Sequence, residues 1–191
     1  MRPKPGWLVR SSFNWLWKHS ECETITEPVE DSLTFPVHFP DPPLHVALYE
    51  PEIPPNTGNI SRLCAANEIP LHLIGKLGFS LDDKQLKRAG LDYWPFVDCR
   101  LHPDLTALRA ALPGARCWYF TTKARFSFHD APFRRGDCLV FGPESRGLPE
   151  TVLAEFNQQT VTIPMRSRRI RSLNLSTAVG VGLYEALRRV G

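Results

Sequence analysis

From Leu44 to the C-terminus, short apolar runs alternate with longer stretches in which apolar residues recur every three or four positions. Leu44–Tyr49, Leu71–Ile74, Cys117–Thr121 and Cys138–Phe141 are almost continuously apolar; Phe96-Val97 and Thr160–Ile163 are shorter versions. Brief runs of this kind, without polar alternation, predict strands covered on both faces. Between them, the spacing predicts helices over about Thr57–Asn67, Asp82–Ala89, Pro103–Leu112, Leu148–Phe156 and Asn174–Arg189. In the third, Leu105, Leu108, Ala111 and Leu112 fall on one side, the stripe a helix needs to pack on a sheet. Strands alternating with helices predict an α/β fold: a mostly parallel sheet with helices on both faces.

Residues 1–43 break this pattern. They hold seven of the 18 prolines and three of the five tryptophans, and the prolines forbid regular structure over much of the segment. We therefore expect a Pro/Trp-rich, poorly ordered N-terminal extension (1–43) ahead of one domain (44–191). An aromatic docking segment and a natural start further along the chain are the other readings. Arg10, Asn14 and Lys18 interrupt the apolar core that a secretory signal requires. No apolar stretch approaches the ~20 residues of a membrane span. The five cysteines are odd in number and lack zinc spacing. Three of them (Cys64, Cys117, Cys138) sit in apolar runs, so buried reduced thiols in a cytoplasmic protein are expected. A net charge of +3 is too small to argue for nucleic acid by itself; only local clusters carry that argument.

Three places combine stopped strands, glycine or proline, and polar side chains. The first is Asn56-Thr-Gly-Asn-Ile-Ser-Arg62, where Asn56 or Thr57 suits a helix cap and Arg62 lies one turn in, away from the core-facing Ile60, Leu63 and Cys64. A solvated arginine and an anion site at a helix start are both open there. The second is Gly142-Pro-Glu-Ser-Arg-Gly-Leu-Pro149. Glu144 and Arg146 either pair with each other in a surface turn, or Glu144 receives N–H groups from a neighbouring helix start. The third runs from Ile163-Pro-Met165 to Ser176. Arg166, Arg168, Arg169 and Arg171 crowd it without an acid, and an anion such as RNA phosphate relieves their repulsion. Ser172 and Asn174 are placed to cap the last helix. Ala178, Gly182 and Ala186 form a small-residue stripe that suits close packing within the chain or against a second subunit. No nucleophile elbow, H-E-x-x-H or P-loop occurs, and His45 and His72 fall inside strand patterns, where a structural role is expected.

Several motifs in order resemble the SPOUT class of RNA methyltransferases, and its TrmL-type branch in particular. They are Tyr49-Glu-Pro-Glu-Ile-Pro-Pro-Asn-Thr-Gly-Asn59, Arg88-Ala-Gly-Leu-Asp-Tyr93, Phe120-Thr-Thr-Lys123, Phe141 to Pro149, and Arg171-Ser-Leu-Asn-Leu-Ser176. The resemblance covers 44–191 and none of 1–43. It implies a C-terminal trefoil knot, one of the exceptions to the rule against knots, and a homodimer. It also implies transfer of methyl from S-adenosylmethionine (leaving S-adenosylhomocysteine) to the ribose 2′-OH of the tRNA wobble nucleotide, a cytidine or uridine in the anticodon stem-loop. The same chemistry on another tRNA position or on ribosomal RNA, and an inactive knotted RNA-binding protein, are the alternatives.

The residues the resemblance implies for the cofactor are Phe120, Thr121, Gly142, Glu144, Gly147, Ile163, Met165 and Ser172. For catalysis they are Arg62, Asn59, Glu144 and Asn174, and for substrate RNA they are Arg62, Arg166, Arg168, Arg169 and Ser172. No metal and no membrane is implied. The linker Arg166-Ser-Arg-Arg-Ile170 is one residue longer than is usual in the family and strongly basic.

Overall fold

The computed structural model describes residues 42–80, 96–167 and 169–191. The helix expected over Asp82–Ala89, the Arg88-to-Tyr93 motif, Arg168 and nearly all of the N-terminal extension lie outside them. Among the described residues, six strands form one sheet: β1 (Leu44–Tyr49), β2 (Leu71–Ile74), β3 (Cys99–His102), β4 (Cys117–Phe120), β5 (Asp137–Phe141) and β6 (Thr160–Val161). Their order is β3-β2-β1-β5-β4-β6, and every pairing is parallel. No helix among the described residues is long and apolar enough to cross a membrane.

The helices cover the two faces in pairs. Helices α1 (Pro54–Ala66) and α4 (Leu175–Val190) bury Ile60, Cys64, Val179, Leu183 and Ala186 against Val46, Leu48, Leu71, Phe120 and Phe141. On the opposite face, α2 (Leu105–Ala111) and α3 (Glu150–Glu155) set Leu108 and Leu153 over Ala47, Ile74, Tyr119 and Val140, and Phe156 stacks on Tyr119 with ring centroids 4.7 Å apart. Burial on both faces is why β1, β2, β4 and β5 read as unbroken apolar runs. Cys64, Cys117 and Cys138 are buried free thiols, as expected. The small-residue stripe packs within the chain: a Cβ on Gly182 would stand 2.9 Å from the Phe120 ring and 3.3 Å from that of Phe141.

Two elements depart from the expected pattern. The strand anticipated at Phe96-Val97 is β3 instead, entering where the Leu71 N–H donates to the Asp98 carbonyl (2.8 Å). Phe96 itself is 76% exposed. As an edge strand, β3 has only one neighbour, so it has no need of a continuous apolar run. Helix α1 begins at Pro54, three residues earlier than expected, because Pro54 and Pro55 occupy first-turn positions where a missing N–H costs nothing.

His45 of β1, His72 of β2 and His102 of β3 form a ladder across three adjacent strands. His45 Nδ1 and His72 Nε2 are 3.1 Å apart, and His72 Nδ1 and His102 Nε2 are 2.8 Å apart. Each contact needs one donor and one acceptor; a neutral His72 meets this by donating from one nitrogen and accepting at the other. Burial, then the neighbouring imidazoles and Arg100, push His72 down to about 3; burial also lowers His45 and His102. In the unfolded chain these rings protonate near 6.5. The unfolded state thus binds more protons as pH drops below that value, and stability falls until the folded-state pKa is reached. Between pH 7 and pH 5, His72 alone should cost the fold about 2 kcal/mol. Denaturant unfolding at the two pH values should show this loss, with a shallower dependence in His72→Gln; equal slopes in both proteins would refute the assignment.

Candidate active site

The carboxyl ends of β4, β5 and β6 converge, and the loops leaving them, with the starts of α1 and α4, enclose a cleft of about 520 Å³. This is the end of a parallel sheet where loops leave backbone groups available for a ligand. Phe120, Phe141, Ile163 and Leu148 give the cleft apolar walls, while Thr121, Glu144, Ser172 and Asn174 give it polar ones. Two glycines shape it. A Cβ on Gly142 would lie 2.3 Å from the Leu148 nitrogen, so the loop folds back on itself only without a side chain there. Gly147 has φ +69°, a left-handed conformation that closes the same loop, with its N–H donating to the Pro143 carbonyl (3.0 Å).

Glu144 binds this loop to α1. Its carboxylate accepts hydrogen bonds from the N–H of Glu52 (2.9 Å), the N–H of Ile53 (3.3 Å) and Asn56 Nδ2 (3.0 Å). Ile53 sits at the N-cap without a side-chain acceptor, and its own N–H is met by a glutamate 91 residues away, while the Asn56 and Thr57 N–H groups donate to the Ile53 carbonyl. The negative charge also suits the positive end of the helix dipole. Asn56 passes the connection on: its Oδ1 accepts from Asn174 Nδ2 (2.9 Å), and Asn174 Oδ1 caps α4 by accepting from the N–H groups of Ser176 (2.9 Å) and Thr177 (3.4 Å). The cap role foreseen for Asn56 or Thr57 is therefore corrected: Asn56 is a buried bridge between two helix starts.

The alternative of a Glu144–Arg146 pair is not found. Arg146 reaches Glu50 (2.5 Å) and Glu52 (3.4 Å), and the Ser145 hydroxyl donates to Glu52 (2.8 Å). The whole 142–147 loop is thus fastened onto residues 50–56. Lys123 forms an ion pair with Glu150 at the start of α3.

All eight residues expected at the cofactor line the cleft: Phe120, Thr121, Gly142, Glu144, Gly147, Ile163, Met165 and Ser172. Asn174 lines it too. Asn59 and Arg62 do not. They lie on the exposed side of α1, whose segment contributes only Ile53 and Asn56 to the cleft. Arg166 and Arg169 are exposed on the loop leaving β6, while Arg171 joins the lining. Arg171 falls in the segment 163–172 expected at the cofactor, while Asn56 was not anticipated at the cleft; the bonds that place it span 88 and 118 residues, beyond any local spacing signal.

Residues 43–184 match the model of the SpoU rRNA Methylase family. A tRNA (cytidine(34)-2'-O)-methyltransferase of Methylovorus glucosotrophus (strain SIP3-4) is 51% identical over 145 residues, covering 75% of this chain and 94% of that protein. A solved structure from "Structural insights into the 2-OH methylation of C/U34 on tRNA" superposes with a TM-score of 0.73 at 57% identity, covering 76% of this chain and 95% of that one. The fold alone is shared with the SpoU methyltransferase AviRb from Streptomyces viridochromogenes in complex with the cofactor AdoMet, at TM-score 0.68 and 24% identity over 80% of this chain and 62% of that one. A family model spanning most of the chain and a relative at half identity lead to one conclusion: this chain belongs to the SpoU methylase family.

Proposed function

We propose that this protein methylates the ribose 2′-OH of the wobble nucleotide of tRNA, using S-adenosylmethionine. The observation that carries the reading is 51% identity across nearly the whole length of a tRNA (cytidine(34)-2'-O)-methyltransferase, together with a cleft lined by the loops 142–148 and 171–175. Residues 44–191 form the catalytic domain in this reading, working in the cytoplasm. The return of the chain from β6, at the sheet edge, to α4, packed on β1 and β5, supports the knotted path.

The cleft suits the donor. Its volume is in the range of small-molecule sites, its walls at Phe120, Phe141, Leu148 and Ile163 suit an adenine, and Gly142 leaves room for close backbone approach. Bound there, S-adenosylmethionine supplies an electrophilic methyl on a sulfonium, with the neutral thioether as leaving group. The protein's own task is positioning. Glu144 accepts from three donors, and in this reading its task is to hold α1 and the loop in place. Asn174 does the same for α4.

Arg62 remains a cation throughout, since a guanidinium does not deprotonate in proteins. Its role is to hold phosphate or stabilise the developing alkoxide. Because Arg62 lies outside its own chain's cleft, that role requires a second copy. The exposed faces of α1 and α4, with Asn59, Arg62, Val181 and the 56% exposed Tyr184, form the homodimer contact in this reading and carry Arg62 to the partner's cleft. The anticodon stem-loop is then gripped across the dimer, with Arg166, Arg169 and Ser172 toward its backbone.

Labelled methyl from S-adenosylmethionine should appear at the wobble 2′-OH of tRNA lacking that mark, shown by nuclease mapping. Label at another tRNA position or only on ribosomal RNA would move the substrate, and none despite cofactor binding would favour an inactive RNA-binding protein. Arg62→Ala should abolish turnover while cofactor affinity is retained. Co-expressed Arg62→Ala and Asn174→Ala chains should recover about a quarter of wild-type activity, because a mixed dimer holds one intact shared site; no recovery would place Arg62 and the cleft in the same chain. Glu144→Ala leaves three donors without their acceptor and should lower stability by about 3 kcal/mol in denaturant unfolding.

A further inference from the structure

Phe126 is an aromatic ring held out into solvent by a fixed backbone. It is 60% exposed, yet the chain around it is tied down on both sides. The Thr162 N–H donates to the Phe126 carbonyl (2.9 Å), and the Phe128 N–H donates to the Thr162 carbonyl (2.9 Å). Ser127 forms a parallel bridge with Thr162. Phe128 is buried in the core, edge-on to Phe120 at 6.3 Å. Thr162 lines the cleft, so the backbone that carries the ring is fastened to the cleft wall. A surface ring on a mobile loop needs no explanation; one anchored to the strand that builds an active site is pre-organised.

Its surroundings indicate what it meets. Arg125 precedes it and is exposed. The loop leaving β6, which begins at the same Thr162, exposes Arg166 and Arg169, contributes Arg171 to the cleft, and leaves Ile170 58% exposed. Neither 121–128 nor 162–174 contains an acidic residue. A flat apolar face beside uncompensated guanidiniums matches a flat base joined to a phosphate chain, the combination by which proteins hold unpaired nucleotides. An acidic peptide would satisfy the arginines but has no use for the ring.

We propose that Phe126 is the stacking platform for an unpaired nucleobase of the substrate RNA, next to the nucleotide being methylated. This rests on the RNA 2′-O-methyltransferase reading above. Phe126 touches substrate without taking part in bond making, so it should act on RNA affinity alone.

The test is steady-state methyl transfer to tRNA by the full chain carrying Phe126→Ala, Phe126→Trp or Phe126→Leu, together with direct binding of an unstructured RNA of anticodon-loop length. Loss of one stacked base corresponds to roughly 5- to 100-fold in affinity. Phe126→Ala should raise the KM for tRNA and weaken RNA binding by that factor. Its kcat at saturating tRNA and its cofactor affinity should stay within about two-fold of wild type. Phe126→Trp should restore both RNA readouts and Phe126→Leu should not, because stacking needs a π face. Unchanged KM and RNA binding in Phe126→Ala, or restoration by Phe126→Leu equal to that by Phe126→Trp, would overturn the proposal. If wild type fails to label position 34 while binding RNA, the substrate reading falls by itself, and the Ala, Trp and Leu series still decides the stacking role through RNA binding.

Discussion

The Glu144 carboxylate is the acceptor on which the site is organised. The first N–H groups of a helix have no partner within it, and the start of α1 offers two prolines and an isoleucine where a capping side chain would normally stand. Those donors sit against a cleft wall, where leaving them unpaired costs about 1–3 kcal/mol each. Glu144 accepts from the N-cap N–H of Ile53, from the N–H of Glu52 just ahead of it and from the Asn56 amide, and Asn56 accepts from Asn174, which caps α4. One carboxylate and two amides therefore fix the loop after β5, the start of α1 and the start of α4 relative to one another. These three elements of the cleft cannot drift separately without stranding a donor.

That linkage explains why the loop chemistry is so restrictive. Gly142 has no room for a Cβ, and Gly147 turns the chain through a left-handed conformation. Only this tight loop delivers Glu144 to α1 while Arg146 and Ser145 grip Glu50 and Glu52. Glu50 itself takes a positive φ of 46°, a conformation that non-glycine residues seldom adopt. The hydrogen bonds and ion pairs to Arg146 hold it there. Strain of this kind persists where surrounding contacts over-determine it.

How far the sequence revealed this depended on whether the cause was local. The buried strands β1, β2, β4 and β5 were legible because burial on both faces forces continuous apolar runs. β3 was misplaced because an edge strand has no such requirement; Phe96-Val97 looked more strand-like than Cys-Arg-Leu-His. The cleft loops were legible through their glycines and prolines. The tie from Glu144 to a neighbouring helix start was open as one of two readings, but its partners were not, since Asn56 and Glu52 approach only through the three-dimensional fold. His102 joined His45 and His72 for the same reason: a ladder across three strands has no spacing in the chain.

The two halves of the candidate site are built by opposite principles. The cleft is closed within one chain by the Glu144–Asn56–Asn174 hydrogen bonds, which suits a small ligand held in one pose. The basic surface is the reverse. Arg166 and Arg169 stand exposed on the loop leaving β6, and Arg62 on the exposed side of α1. In the proposed function these exposed guanidiniums would meet a polyanion, whose counterions are released on binding, without altering the cleft beforehand. What such charges cannot provide is register along the RNA, since phosphates repeat identically. Register has to come from a contact with a base, and the exposed, backbone-anchored ring of Phe126 has the shape to provide one.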